Sequence, residues 1–325
     1  MDILDSKIQQ ILSPSASDNT WRDDLRRLEN GDITLTRRSA GENSIKAIQR
    51  MLVFLGYSTA SSGAFLIDGD FGRGTNRGVA QFQFEHDLTS NIHSDHLCYP
   101  CSFNNARSRI TAIPDVQLDL GTLKKMVNVA LDAIRLKTIP FGDFDSTLFH
   151  LNALQQRRLL NCREILDRYG EDVHHAVAKI TESKGFTIKQ EWILAIIKQE
   201  TSGIARPRFE QHKLSKFYQK NTAGSFPELR IRSMSIGLGQ IMGFNHDTVG
   251  ASSAVEMLYS PISDQISYIA RFLSRKKQIV VKSTPSMADF MAMARYYNGP
   301  KYAKHFYHER LQRWFNEFQQ LLHSG

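Results

Sequence analysis

The sequence predicts a mainly α protein, a small three-helix bundle followed by a larger helical domain. Three observations lead there. The 325 residues suffice for two domains at about 100–200 residues each. Apolar residues recur at helical spacing in two stretches, one ending near residue 138 and one starting near residue 151. Between them, a run containing Pro140 and Gly142 reads as a linker over 139–150.

Residues 1–40 form a polar N-terminal segment, with short helices around Ile8 to Leu12 and Trp21 to Leu28. This segment carries no recognisable chemistry; an adaptor, a lid or a poorly ordered terminus would all fit it. The bundle occupies 41–138. Its first helix carries Ile45, Ile48, Leu52 and Leu55, and Gly56 suits the position just past its end. A loop through Ser61-Ser62-Gly63 leads to Asp68-Gly69-Asp70-Phe71-Gly72. Thr75 is the expected N-cap of a second helix holding Val79, Phe82 and His86. An insertion over 88–121 separates it from a third helix, Leu123 to Leu136. In 151–325, helices are expected at 153–168, 171–182, 189–200, 262–275, 285–297 and 302–322. Thr284-Pro285 should begin the fifth of these, and the helical period is lost over 203–261.

Composition narrows the function classes. Hydrophobic residues are 41% and charged residues 23%, as in ordinary globular proteins and unlike disordered ones. No apolar run approaches the roughly 18 residues of a membrane helix, so membrane insertion is not expected. The opening MDILDSKIQQ lacks the basic and apolar regions of a signal peptide. Synthesis in the cytoplasm and delivery by another route are therefore expected. A net charge of +8 and a pI near 9.3 favour polyanions such as nucleic acid, anionic lipid or an anionic wall, or simply serve solubility. Zinc-finger spacing and an aromatic RNA-binding signature are both missing, so nucleic acid is not an expected partner.

Three cysteines exclude a disulfide-built scaffold. His93, His96, Cys98 and Cys101 could wrap a structural zinc, but they crowd more tightly than two separated ligand pairs. A local disulfide or free thiols are the alternatives. Cys162 falls in an apolar helical pattern and reads as core. Nothing in the sequence calls for a cofactor or a catalytic metal. Gly72-x-Gly74-x-x-x-Gly78 lacks the Gly-Lys-Ser/Thr ending of a phosphate loop, and Asp68-x-Asp70 lacks the acid that a calcium loop needs at position 79, which is Val.

The sharpest chemical feature is the helix from Gln190 to Glu200. Ile193, Ile196 and Ile197 define its buried stripe, and Glu200 continues that stripe at the C-terminal end. Burial disfavours a carboxylate there, and so does the negative end of the helix dipole. Both effects suit a general acid; the alternative is an amphipathic Glu that reaches solvent. Arg206-Pro207-x-Phe209-Glu210-x-His212 follows the helix. Farther on lie Ser235-Ile236-Gly237-Leu238-Gly239-Gln240-Ile241-Met242-Gly243-x-Asn245 and Tyr296-Tyr297-Asn298-Gly299-Pro300-x-Tyr302. Closely spaced glycines let backbone approach a ligand, amides offer donors and acceptors, and tyrosine rings stack on sugar faces or fill core.

Two resemblances follow from these residues. Ile45-Lys46-x-Ile48-Gln49, Leu52, Leu55-Gly56-Tyr57, Asp68-Gly69-x-Phe71-Gly72, Thr75 and Val79-Ala80-Gln81-Phe82-Gln83 resemble the three-helix peptidoglycan-binding domain. In that family the link before the third helix is short, whereas here about 34 residues intervene. From about 165 to 325, the helix-end Glu and the motifs above resemble the phage-type N-acetylmuramidases. Those enzymes sit within the goose-lysozyme and lytic-transglycosylase-like group. The resemblance implies a lysozyme-like helical domain that cleaves the β-1,4 bond between N-acetylmuramic acid and N-acetylglucosamine. It makes Glu200 the acid and puts Gln240, Tyr297 and Asn298 in the glycan cleft, with Ser202, His212, Asn245 and Tyr302 as further substrate-binding candidates. Asp68, Gly69, Phe71, Gly72 and Thr75 mark the binding module. Thr201 stands where the family has Ser after the acid, Gln211 where it has Arg, and Ile236 where it has Trp.

Glycoside hydrolysis usually needs a second carboxylate as base or nucleophile. Glu210 is the candidate by spacing; equally, it could hold its own loop through Arg206 or His212. A lytic transglycosylase, giving 1,6-anhydro products, and a non-catalytic wall-binding protein are the alternative readings. Peptidoglycan is the expected partner, with an immunity protein or a secretion apparatus if the chain is an injected antibacterial effector rather than a phage endolysin. Either would act in the periplasm or outside the producing cell.

Overall fold

The computed structural model describes residues 3–15, 20–36, 41–60, 66–98, 113–220 and 222–323. Helices dominate throughout, as the sequence predicts. The first half holds α1 (Ser6–Leu12), α2 (Arg22–Glu29), α3 (Glu42–Phe54), α4 (Arg73–Glu85), α5 (Ser94–Cys98), α6 (Leu120–Leu136) and α7 (Phe144–Gln155). The N-terminal segment is part of the bundle core. Ile8, Ile11, Leu25 and Leu28 are buried, α1 packs on α3, and Leu35 pairs with Leu118 in an antiparallel bridge.

Two polar side chains organise the bundle. Gln49 of α3 ties down the Asp68–Phe71 loop. Its Nε2 donates to Asp68 Oδ1 at 2.7 Å, Asp70 O at 3.0 Å and Thr75 Oγ1 at 2.9 Å. Its Oε1 accepts the backbone N–H of Asp68 and of Gly69, each at 2.9 Å. Arg50, fully buried, donates to the carbonyls of Gln10 and Ile11 at the end of α1 and to Asn152 and Gln155 of α7. A guanidinium suits carbonyls at a helix C-terminus, because both dipole and hydrogen bonds favour its charge. Burial nevertheless pulls it down to about 9.

Four sequence expectations are corrected. The N-cap of α4 is Gly72; Thr75 lies one turn in, where its hydroxyl donates to Asp70 O. Ser286, not Thr284, caps the later helix, through a reciprocal bond with Asp289. The helices expected at 153–168 and 171–182 are instead α7 and α8 (Cys162–Lys184), divided because Asn161 and Glu164 form a capping box. Residues 144–150, read as linker, are the first turns of α7, capped by Asp143. Cys162 is buried at the first turn of α8.

The second half is built around α9 (Gln190–Thr201), whose residues Trp192 to Ile197 are all buried. Trp192 packs against Phe290 and Phe315, each ring pair at 4.9 Å. Where the helical period is lost, a three-stranded antiparallel sheet forms: β1 (Arg208–Phe209), β2 (Met234–Ile236) and β3 (Ile241–Met242), in the order β1-β2-β3. Short helices fill in around it: α10 (Gln211–Gln219), α11 (Phe226–Arg232), α12 (His246–Val249) and α13 (Ala254–Tyr259). The remainder is α14 (Ile262–Ser274), α15 (Lys277–Val280), α16 (Met287–Asn298) and α17 (Tyr307–His323). α8, α14 and α17 pack on α9.

The halves are welded. Arg230 of α11 reaches Glu85 of α4 at 2.5 Å, donates to Gly56 O at 3.0 Å and lies 4.1 Å from the Tyr57 ring centroid. Tyr57 donates its hydroxyl to the same Glu85 at 2.7 Å. Both charged side chains are about 95% buried, at 4% and 5% exposure. The Glu85 carboxylate and the Tyr57 oxygen together push the Arg230 guanidinium up, against the opposing effect of burial. Beside them, Phe84 and Phe226 meet edge to face at 4.8 Å.

Candidate active site

Glu200 sits one residue before the end of α9, half-buried, where the helix stripe runs out of apolar residues. Ser202 and Gly203, at φ 48° and 76°, then turn the chain sharply. Three bonds fix this corner: Thr201 Oγ1 to Leu238 O at 2.9 Å, Leu160 N to Ser202 O at 3.0 Å, and Tyr169 hydroxyl to Gly203 O at 2.8 Å. The Thr201 bond joins the end of α9 directly to the Gly237–Gln240 loop.

Burial raises the Glu200 carboxyl above its usual range, as the sequence predicts. The Tyr307 hydroxyl, donating to Glu200 Oε1, works against that, and so do Arg208, Arg206 and Arg310 in turn. Tyr307 is buried at the start of α17, and burial together with Glu200 holds its phenol well above the ordinary range, so it remains a donor. Tyr297 is pushed up by the same two causes, and its hydroxyl donates to Gly239 O at 2.6 Å. A Cβ on Gly239 would meet Tyr297 Oη at 2.8 Å and Ile269 Cγ1 at 2.5 Å, so this backbone can pass only as glycine.

Gln240 stands in the left-handed region at φ 48°. Its Nε2 donates to Arg206 O and Gly237 O, both at 3.0 Å, while its buried Oε1 has no partner among the described residues. Arg206 in turn donates to Glu200 O at 3.3 Å. Gln240, Arg206, Glu200, Tyr297 and Tyr307 are thus one connected group.

Glu210 follows β1 and precedes α10. Its carboxylate meets Arg208 Nε at 3.0 Å and His212 Nδ1 at 3.5 Å. Arg208, rather than Arg206, is therefore its arginine, and the same Arg208 acts on Glu200. The other candidates are placed differently. Ser202 Oγ is engaged with Lys198 O at the helix end. Asn245 lies in a 3-10 turn after β3, Asn298 is exposed at the end of α16, and Tyr302 packs edge-on to His308 at 5.3 Å. No hydrogen bond joins these three to Glu200 among the described residues. In the bundle, Phe71 is buried, while Asp68, Gly69 and Thr75 are held in the Gln49 knot.

Tyr307, Arg208 and Arg310 escape sequence reasoning. Tyr307 repeats with Leu311, Phe315 and Phe318 at helical spacing, which reads as core stripe. Among the described residues, no three His, Cys, Asp or Glu gather as metal ligands; the Cys98 side chain and Cys101 lie outside the described residues. No helix there is long and apolar enough to cross a membrane.

Two segments of the chain match known families. Residues 41–91 match the sequence model of the putative peptidoglycan binding domain family, and residues 223–319 match that of the N-acetylmuramidase family. The second match takes in Gln240, Asn245, Tyr297, Asn298, Tyr302 and Tyr307; Glu200 and Glu210 precede it. The crystal structure of Burkholderia AP3 phage endolysin is 16% identical, over 89% of this chain and 98% of that one, with a TM-score of 0.36. No curated protein matches the chain. The chain thus carries a segment that matches the N-acetylmuramidases behind a segment that matches the peptidoglycan-binding domain, and it is a glycoside hydrolase acting on peptidoglycan.

Proposed function

We propose that the enzyme cleaves the β-1,4 bond between N-acetylmuramic acid and N-acetylglucosamine, with Glu200 as the general acid. The observation that carries this is the Glu200 environment: a carboxyl raised by burial at a helix C-terminus, with one oxygen held by Tyr307. Tyr307 occupies Oε1, which leaves Oε2 to carry the proton to the leaving glycosidic oxygen. As the bond breaks, Arg206, Arg208 and Arg310 favour the carboxylate that forms. Glu210, ion-paired with Arg208, is the second carboxylate, acting on water or on the sugar. Gln240 and Tyr297 shape the wall opposite Glu200; Asn245, Asn298, His212 and Tyr302 form the outer contacts to the glycan. The bundle over 41–138 holds the wall, aided by the basic surface. The setting is bacterial lysis, as an endolysin or as an antibacterial effector countered by an immunity protein.

The test is to digest purified murein with wild type and Glu200→Gln and weigh the soluble fragments. Muropeptides with reducing N-acetylmuramic ends from wild type alone support the proposal. Anhydro ends would assign a transglycosylase, in which the sugar's own 6-hydroxyl replaces Glu210. Release by Glu200→Gln at the wild-type rate would remove Glu200 from the chemistry.

A further inference from the structure

Arg77 belongs to the bundle, in the first half of α4, within the segment that matches the peptidoglycan-binding domain. Yet its guanidinium reaches the other half of the molecule, 5.2 Å from the ring centroid of Phe209. Phe209 is the last residue of β1 and immediately precedes Glu210. The guanidinium is anchored from behind: Nη2 donates to Ala60 O at 2.6 Å. Its Nε is buried and finds no hydrogen-bond partner among the described residues. Burial pulls Arg77 down to about 10, and the charge on Glu210 opposes that pull. Among the described residues Arg77 has no ion pair, and the carboxylate that acts on it is Glu210.

We propose that Arg77 is a positioning residue for Glu210, so that the wall-binding bundle completes the catalytic apparatus rather than serving only as a tether. The inference rests on the reading of Glu210 as second carboxylate. Two forces operate. The flat guanidinium packs on the Phe209 ring and fixes the end of β1. Its charge joins that of Arg208 on β1 at the Glu210 carboxylate. Lys213 and Lys216 lie further along α10.

The experiment uses the full chain and a soluble, enzymatically released murein glycan, which removes adhesion to an insoluble wall from the readout. Arg77→Met keeps the aliphatic stem and loses the charge; Arg77→Lys keeps the charge. Arg77→Met should lower kcat by about tenfold with KM within about twofold, the pattern of lost transition-state alignment. Removing a cation destabilises the charged carboxylate, so the acid-side limb of kcat/KM should move to higher pH, and Arg77→Lys should bring it back. Unchanged kcat and pH limb in Arg77→Met, with Glu210→Gln inactive, overturn the proposal. So does a loss that Arg77→Lys shares in full with the pH limb unmoved, because that is a packing role. If Glu210→Gln retains full activity, the reading of Glu210 itself fails, and that single measurement tells the two failures apart. Should Arg77→Met melt too low to assay, Arg77→Gln takes its place.

Discussion

The buried Glu85–Arg230 pair offers a quantitative test of how the two halves are joined. In Glu85→Gln the carboxylate goes while Arg230 stays at 4% exposure, still held by Gly56 O and the Tyr57 ring. Removing one partner of a buried ion pair costs about 3–5 kcal/mol, because an uncompensated charge remains in a low-dielectric site. For 325 residues the unfolding entropy at the melting point is about 0.7 kcal/mol per kelvin. Glu85→Gln should therefore lower Tm by roughly 4–7 °C, read by scanning calorimetry with far-UV circular dichroism alongside. The double variant Glu85→Leu with Arg230→Met should recover much of that loss, since it leaves no orphaned charge. A single-variant Tm within about 1 °C of wild type would refute the reasoning, as the interface would then be wet enough to rehydrate Arg230. Two well-separated transitions in wild type would refute it differently, by showing that the halves unfold independently.

Glu200→Gln should lower kcat by about 10²–10⁴, the ordinary contribution of a general acid, measured on purified murein. Its effect on stability runs the opposite way. Burial raises the folded carboxyl, so as pH rises the unfolded chain ionises first and wild type alone loses stability. Chemical denaturation should accordingly find Glu200→Gln the more stable protein at about pH 7, with the gap closing at about pH 3. Tyr307→Phe removes a donor to a charged acceptor, about 1.5–3 kcal/mol, so kcat/KM should fall roughly 10- to 100-fold while the alkaline limb moves to higher pH. His150 is buried between the Phe141 and Phe149 rings, and burial lowers it to about 3. The unfolded chain takes up that proton first, so stability should fall by up to about 1.4 kcal/mol per pH unit from about pH 6.5 down to about 3. Replacing His150 with Gln should flatten that slope in a denaturant titration repeated across the range.

Much of the fold was legible because helices declare themselves locally. The α3, α4, α6 and α9 stripes were readable from apolar spacing, and the position of Glu200 on its stripe followed from the same periodicity. Helix starts were harder. Thr75 and Thr284 are good capping residues that lost to Gly72 and Ser286, since the position of a cap depends on how the preceding loop arrives. Over 203–261, where no helical period shows, the chain nevertheless forms four short helices, and its sheet has strands of only two or three residues, too short for alternation to show. The partners of Glu200 were hidden for another reason. Tyr307 lies 107 residues away on an apolar stripe, and nothing local separates a catalytic neighbour from a core ring. Arg208 and Arg77 were equally opaque, because their meaning depends on two distant elements meeting.

Sequence separation across the weld also sets an order of events during synthesis. Arg50 must wait for Asn152, 102 residues downstream, and Glu85 for Arg230, 145 residues downstream. At about 5–20 residues per second, the second wait lasts roughly 7–29 s. Throughout it, the nascent chain carries an unmatched carboxylate and the Tyr57 and Phe84 rings at a seam meant to be covered. Tyr307 leaves the ribosome later still, so Glu200 must wait for a hydrogen-bond donor 107 residues downstream. The Glu200 environment is thus assembled after the weld, and a chain released before Tyr307 would expose the seam's rings or lack that hydrogen-bond donor.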